Sequence, residues 1–352
     1  MAFHETSLGA NSVPEARLSP FRRRALVPAL VSAALCLLAI HSGVFILFFL
    51  FPLGFMAYGY HTRAAWVSTA LVIGGNALWL LATSYPATYP WLSMGYFTVI
   101  LLLFTWIVAP PFSAASGGIF AWSTAYRLII ASAFAAVSCG YLMEAAWNTE
   151  AFKSLLESQM AVLRSMALSA TGTDVVRRSL LEQQLDTETV MAQIRAVALR
   201  GGAVGGCAVL FFINRQLGLV VAALIRRSRM GTGMIHFHTP GGLIWVLSLS
   251  LLGVLVGTVF SIDPLEIGAW NGVTICGLLY LAQGGGIMLH LLARLRLSPL
   301  LRVALHIALV ILICSPNLNL LALGALGLLG IAEHWVSFRA PKSDGSSSTP
   351  GM

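Results

Sequence analysis

Nearly the whole chain is a succession of apolar runs, and one long polar interval, residues 144–200, interrupts them. Hydrophobic residues make up 58% of the 352 residues and charged residues only 10%, which is too little charge to cover a soluble globular protein. A membrane-spanning helix needs about 20 apolar residues, or somewhat fewer where it is broken or re-entrant. The pattern therefore predicts an all-α, polytopic transmembrane helix bundle in two halves, 24–143 and 201–338.

Ten of the apolar runs are candidates for spanning helices. Their ranges are 24–40, 44–60, 64–84, 91–109, 117–143, 201–225, 241–261, 267–293, 299–315 and 317–336. The two short runs around His41 and the two that meet at Ser315 and Pro316 are the weakest, because either pair could be a hairpin that does not fully cross. The sequence thus predicts about eight to ten spans.

Basic residues are distributed as the positive-inside rule requires of such a bundle. Arginines cluster before the first run, after the second, sixth and eighth, and at the end of the chain, whereas the turns 41–43, 85–90, 262–266 and 315–317 contain no Lys or Arg. The expected location is the bacterial cytoplasmic membrane, with residues 1–23 and 339–352 as disordered cytoplasmic tails. The arginine-bearing loops account for most of the excess of 21 Lys and Arg over 13 Asp and Glu, so nucleic acid is not expected as a partner.

The polar interval 144–200 has apolar residues at helical spacing, for example Phe152, Leu156 and Met160. Residues 171–174, Thr-Gly-Thr-Asp, indicate a break followed by a helix N-cap. We expect an extracytoplasmic amphipathic helical hairpin that continues the fifth span outward and re-enters through the Gly-rich residues 201–206. This hairpin is either a cap lying in water or at the interface, or a lid or partner-docking element.

Motifs for catalysis or metal binding are absent from the sequence. It contains no GxxxxGK[ST], HExxH or GxSxG pattern. His236 and His238 form an HxH pair without a third ligand, and all five cysteines lie in apolar runs without a CxxC pair. We therefore expect no enzymatic activity, no metal and no cofactor.

Polar side chains inside the apolar runs are the candidates for substrate binding, because a charge at the bilayer centre costs about 2.5–3.5 kcal/mol. Arg127 and Arg215 would lie at similar depth if the fifth and sixth spans are antiparallel neighbours. Glu333 is the nearest candidate counter-ion; otherwise an anionic ligand or lipid phosphate fills that role, or the arginines snorkel to the head groups. Asn271 and Gln283 fall near one face of the eighth span and bind either a ligand or a neighbouring helix.

Three consecutive glycines, Gly284, Gly285 and Gly286, lie in the middle of the eighth run. Each glycine weakens a helix by about 1 kcal/mol relative to alanine. The run therefore either unwinds the helix and exposes backbone groups to substrate, as in transporters, or lets another helix approach closely.

The last third of the chain resembles the YybS-like multi-spanning membrane proteins of bacteria. The matching positions include Arg226-Arg227, Pro240 with Trp245, Asn271, the Gln283-Gly284 step and the ending 330–339, GIAEHWVSFR, in which Glu333 stands where an aspartate is more usual. That family is distantly similar to the substrate-binding subunits of energy-coupling-factor transporters. The resemblance implies a membrane fold with a small-molecule pocket, and no reaction.

Two functions fit these observations. In the first, a protein of transporter-like architecture binds a small or lipid-like anion between the fifth, sixth, eighth and tenth spans, and a gradient or a separate energising subunit drives any transport. In the second, the protein is a membrane scaffold or biogenesis factor that acts through its extracytoplasmic hairpin. A polar cavity lined by the candidate residues favours the first function, and candidate residues that satisfy each other in a packed interior favour the second.

Overall fold

The computed structural model describes residues 19–43, 45–60, 62–83, 88–109, 123–170, 187–226, 234–295, 298–315, 318–336 and 338–339. Within these ranges the chain forms helices and no strands, so the protein is an all-α polytopic bundle. Six helical segments in the described ranges are long and apolar enough to cross a membrane: Thr62–Ala82, Trp91–Val108, Thr124–Leu142, Glu188–Ile225, Leu243–Phe260 and Asp263–Arg294.

We number the described α-helices α1 to α12 in chain order. They are α1 Ser19–Ser42, α2 Phe51–Gly59, α3 Thr62–Ala82, α4 Thr88–Leu103, α5 Thr124–Trp147, α6 Glu150–Ala170, α7 Thr187–Val197, α8 Ala203–Arg226, α9 Leu243–Phe260, α10 Asp263–Arg294, α11 Pro299–Cys314 and α12 Asn319–Ala332. Short 3₁₀ segments lie at Ile46–Phe48 and Met234–His236, and π-helical segments at Phe104–Val108 and Ala198–Gly202.

Four of the ten predicted spans form short apolar helices. They are the apolar part of α1, Leu26–Ser42; the segment Ile46–Gly59, which includes α2; α11; and α12. At about 1.5 Å per residue, the 14 residues of α12 are about 21 Å long, less than the roughly 30 Å hydrocarbon layer. These four helices are the two pairs, around His41 and around Ser315, that the sequence marks as weakest.

Helix α10 is the longest described helix, and local sequence explains both of its ends. Pro264 lies in its first turn, where a missing N–H costs nothing, and Asp263 and Glu266 place negative charge at the positive end of the helix dipole. Arg294 lies in the last turn, at the negative end. Its 32 residues span about 48 Å, which exceeds the thickness of the hydrocarbon layer.

The two halves of α10 have different partners. Antiparallel α9 packs along the first half, where a Cβ on Gly253 would lie 3.0 Å from the Ala269 Cβ. Antiparallel α12 packs along the second half, where a Cβ on Gly284 would overlap the carbonyl of Leu326. Helix α10 continues through its three glycines, so the alternative of an unwound span is wrong: the glycines admit neighbouring backbone instead.

The N-terminal half joins the C-terminal half through α8. Helix α8 packs against α2 and α5, and its contact with α2 brings Gly218 against Gly54 with no room for a side chain. The Asn214 Nδ2 donates to the carbonyl of Leu47 at 2.8 Å, which ties α8 to the start of the α2 segment. These contacts form one continuous core through both halves of the membrane domain.

Two helices of the predicted hairpin are present. Helix α5 ends at Trp147 and α6 begins at Glu150, with the Thr149 Oγ1 accepting from the Phe152 N–H at 3.4 Å. Helix α7 belongs to the part of the hairpin that leads back to α8. The Arg195 Nη2 on α7 lies 2.9 Å from the Glu144 Oε2 on α5. The predicted turn at 171–174 lies outside the described residues.

Candidate functional site

A groove of about 1000 Å³ lies between α8 and α10 in the described part of the chain, and Leu47 and Phe48 also line it. One face of α10 lines it through Glu266, Trp270, Thr274 and Leu278. One face of α8, with the break that precedes it, lines it through Arg200, Gly201, Gly202, Gly205, Gly206, Val209, Leu210 and Ile213. From Glu266 to Leu278 the groove follows 12 residues of helix, about 18 Å.

The groove is polar at one end and apolar at the other. Arg200 and Glu266 form an ion pair at the polar end, with 3.3 Å between the Arg200 Nη2 and the Glu266 Oε1. The Arg200 side chain is 49% exposed and that of Glu266 13%. At the other end only apolar side chains face the cavity, among them Leu210, Ile213 and Leu278. A ligand that matches this lining has a charged group at one end and an apolar body.

A break in the helix before α8 shapes the polar end. The π-helical segment Ala198–Gly202 loses helical geometry at Arg200 and Gly201, and Gly201 has a φ of +107°. Only glycine adopts this conformation readily, and a Cβ there would also overlap the Thr274 side chain of α10. The backbone therefore approaches α10 closely here and leaves Arg200 at the mouth of the groove.

Asn271, a predicted binding residue, donates hydrogen bonds to the backbone on either side of the contact between this break and α10. Its Nδ2 donates to the carbonyl of Leu199 at 2.6 Å and to that of Ile267 at 2.8 Å. Asn271 is not among the residues that line the groove. Because the break removes the regular helical partner of the Leu199 carbonyl, the amide of Asn271 acts as a positioning group for the segment that carries Arg200.

Gln283 and Glu333, also predicted binding residues, belong to a separate buried network. The Gln283 Nε2 donates to the Gly330 carbonyl at 3.0 Å and to the Glu333 Oε2 at 2.9 Å, while its Oε1 accepts from the Thr239 N–H at 2.7 Å. The Thr239 hydroxyl also bonds this oxygen. Asn271 and Gln283 therefore contact different elements.

Arg339 closes the same network from the end of the described chain. Its Nε donates to the Glu333 Oε1 at 2.6 Å and its Nη2 pairs with Oε2, and both side chains are over 90% buried. Its Nη1 donates to the carbonyls of Ile235 and Phe237, at 2.5 and 3.1 Å. Burial alone would raise the pKa of the Glu333 carboxyl, but the hydrogen bond and charge of Arg339 outweigh it and hold that pKa below its ordinary value. The prediction that Glu333 is the counter-ion of Arg127 and Arg215 is corrected, because Arg339 occupies it.

Arg127 and Arg215 lie together elsewhere, where antiparallel α5 and α8 meet. Both are buried, at 0% and 6% exposure, and their charges repel each other. The Arg215 guanidinium carbon lies 5.7 Å from the centre of the Tyr58 ring, a cation–π contact. Among the described residues no ion pair joins Arg215 to an acidic side chain, and its Nε has no hydrogen-bond partner. A binding role for these two arginines stays a prediction.

The five predicted binding residues therefore lie in three separate places, and none of them lines the groove. Its charged residues, Arg200 and Glu266, were missed because hydropathy assigns them to the ends of apolar runs, where charges are ordinary. The available signal was the Gly-rich break directly after Arg200. Within the described residues, no group of three or more His, Cys, Asp or Glu side chains is arranged to hold a metal ion.

The six long apolar helices and the all-helical fold define the class of this molecule as a polytopic membrane protein. Comparison of the chain with models of known protein families, with curated proteins and with solved structures gave no match.

Proposed function

We propose that this protein binds a lipid-like amphiphile in the groove between α8 and α10. The head group contacts Arg200 and Glu266, and the apolar part lies along the cavity towards Leu278. The observation that carries the proposal is the change from a charged to an apolar lining over about 18 Å. That length is close to half of the roughly 30 Å hydrocarbon layer, the depth of one leaflet.

Selectivity in such a site comes from the head group. An acyl chain that leaves the bilayer for the groove exchanges one apolar environment for another, so it gains little from the hydrophobic effect. Hydrogen bonds to charged groups contribute more, because an ionised donor or acceptor strengthens them. The exposed half of the Arg200 side chain offers such donors at the mouth of the groove.

Native mass spectrometry of the purified protein with a bacterial lipid extract tests this function. Gly206 lines the groove and has no atom within 4 Å of the place of a Cβ, so Gly206→Leu fills the cavity without an immediate clash. Gly277→Leu on α10 is the matched control, since Gly277 has the same free space but does not line the groove. We expect Gly206→Leu to lose retained lipid and Gly277→Leu to keep it. Equal retention by both variants would refute the groove as the binding site.

The alternative function is a membrane scaffold or biogenesis factor that acts through the extracytoplasmic helices α6 and α7. The bonds of Gln283 and Asn271 to their own protein favour it, as does the exposure of Val162 and Met166 on α6. In a strain that depends on this protein, a scaffold function predicts that Met166→Lys is inactive while Gly206→Leu is active. Binding in the groove predicts the opposite pair of results.

We further propose that the protein lies in the bacterial cytoplasmic membrane with both termini in the cytoplasm. The arginine-bearing turns favour this orientation, and the resemblance to YybS-like proteins favours a separate energising subunit if the bound molecule is transported. Gln159 on α6 and Ala293 on α10 are both exposed and lie on opposite predicted sides. In intact cells, a membrane-impermeant thiol reagent should label Gln159→Cys and leave Ala293→Cys unlabelled. The reverse labelling pattern would contradict the proposed orientation in the membrane.

A further inference from the structure

The two charged residues at the mouth of the groove carry opposite signs, and this fixes the chemistry of a head group that fits them. We propose that the ligand is a zwitterionic phospholipid with a primary amine, whose phosphate binds Arg200 and whose ammonium group binds Glu266. This inference rests on the proposed function of the groove, and it names the ligand class.

Both side chains have unused hydrogen-bonding capacity. A guanidinium has five N–H donors and a carboxylate has two acceptor oxygens. The 3.3 Å contact between the Arg200 Nη2 and the Glu266 Oε1 is their only polar contact among the described residues. The remaining donors of Arg200 and the second oxygen of Glu266 are therefore available to a ligand.

The sum of the two charges disfavours an anionic head group. A phosphate drawn to Arg200 is also repelled by Glu266, and because the two charges are only 3.3 Å apart these energies largely cancel for a net anion. A head group that carries a phosphate and an amine joined by a short link meets an opposite charge at each end. The primary amine also donates hydrogen bonds to the carboxylate, which a quaternary ammonium cannot do.

The position of the pair agrees with a head-group site. Glu266 lies in the first turn of α10, where the helix dipole stabilises a negative charge. It packs against Gly257, one turn before the end of α9. Both helix ends belong to the same edge of the bundle, so the charged mouth lies where a lipid head group meets water and the apolar part of the groove extends inward.

Competition between lipids with matched acyl chains tests the inference. Delipidated protein is offered phosphatidylethanolamine, phosphatidylcholine and phosphatidylglycerol, and bound lipid is quantified by native mass spectrometry. We expect phosphatidylethanolamine to be retained over the other two by about tenfold, the effect of one charged hydrogen bond. Glu266→Gln should lose this preference and favour phosphatidylglycerol, because the positive charge of Arg200 then stands alone. Arg200→Gln should weaken the retention of all three lipids.

The outcomes separate the inference from the proposed function. The zwitterionic head group is overturned if wild-type protein prefers phosphatidylglycerol, or if Glu266→Gln still selects the amine. In either case, loss of lipid from Gly206→Leu still supports the groove as the binding site. Equal retention by wild type and Gly206→Leu overturns both. Circular dichroism and gel filtration of each variant identify any that fails to fold. If Arg200→Gln fails to fold, Arg200→Lys is tested instead. Arg200→Lys keeps the charge and should show the same preference for phosphatidylethanolamine as the wild type.

Discussion

Replacing Glu333 by glutamine should destabilise the fold although the shape of the side chain hardly changes, because Glu333 is a buried partner of Arg339. Its two carboxylate oxygens join Arg339 and Gln283, and through them the end of the described chain, the segment 235–239 and α10. Glu333→Gln keeps the size of the side chain and one acceptor oxygen but removes the charge. Arg339 then remains over 90% buried without its counter-ion.

The magnitude follows from the surroundings of Arg339. Removing one partner of a buried ion pair typically costs about 3–5 kcal/mol of unfolding free energy. Arg339 keeps its hydrogen bonds to the Ile235 and Phe237 carbonyls, and the new amide offers one acceptor, so we expect the low end, about 3 kcal/mol. At roughly 2 °C per kcal/mol for a chain of this size, the melting temperature should fall by about 6 °C.

Thermal unfolding in detergent micelles, followed by tryptophan fluorescence, measures this change. Arg339→Gln should be destabilised to a similar extent, because it leaves the Glu333 carboxylate buried. The double variant should lose much less than the sum of the two, since a neutral pair has no isolated charge. Single variants within about 1 kcal/mol of wild type, or effects that simply add, would refute the buried ion pair as a stabilising contact.

The pH dependence gives a second check on the same pair. The folded-state pKa of Glu333 lies below its ordinary value, so the ion pair stabilises the fold above the ordinary glutamate range, about pH 4.3. This stabilisation is lost as the pH falls through the lower folded-state pKa. The difference in melting temperature between wild type and Glu333→Gln should therefore shrink below about pH 4.

Two further predictions concern helix packing. Cys139 on α5 and Cys207 on α8 are neighbouring thiols where these two helices pack. Mild oxidation of a protein with its other three cysteines replaced by alanine should therefore yield an intramolecular disulfide, detected as a mass loss of two hydrogens. Unchanged thiols would contradict the α5–α8 contact. Gly284→Ala should destabilise the fold by about 1–3 kcal/mol in chemical unfolding, because the added Cβ overlaps the Leu326 carbonyl. The control Gly324→Ala has free space for its Cβ and should be neutral or slightly stabilising. Equal effects of the two substitutions would contradict the α10–α12 packing.

The architecture was largely predictable, because hydropathy and helix formation depend on neighbours in sequence. Each of the six long apolar helical segments overlaps a predicted run, although Glu188–Ile225 begins inside the predicted hairpin. The four shorter helices are the pairs around His41 and Ser315. Helices α5 and α8 are antiparallel neighbours, which is the condition under which the sequence places Arg127 and Arg215 at similar depth. These features follow from the length of apolar runs and from the alternation of direction that successive spans impose.

The site was not predictable in the same way. Arg200 and Glu266 are 66 positions apart, and only the break at Gly201 and the bond from Asn271 bring them to one mouth. Spacing along one helix gives the direction of a side chain but not the neighbour that it meets, which is why Gln283 and Asn271 bond to different elements.

Glycines illustrate the same division between sequence and tertiary structure. A local rule gives Gly284, Gly285 and Gly286 the greatest tendency to break a helix, yet α10 continues through them because α12 and the segment at Met234 pack into the space that they leave. The break occurs at Gly201 instead, where close contact with Thr274 accompanies a positive φ. Sequence alone determined which segments are helices in a membrane. Tertiary packing decided where a helix bends and which charges meet, because both depend on atoms that are distant in the chain.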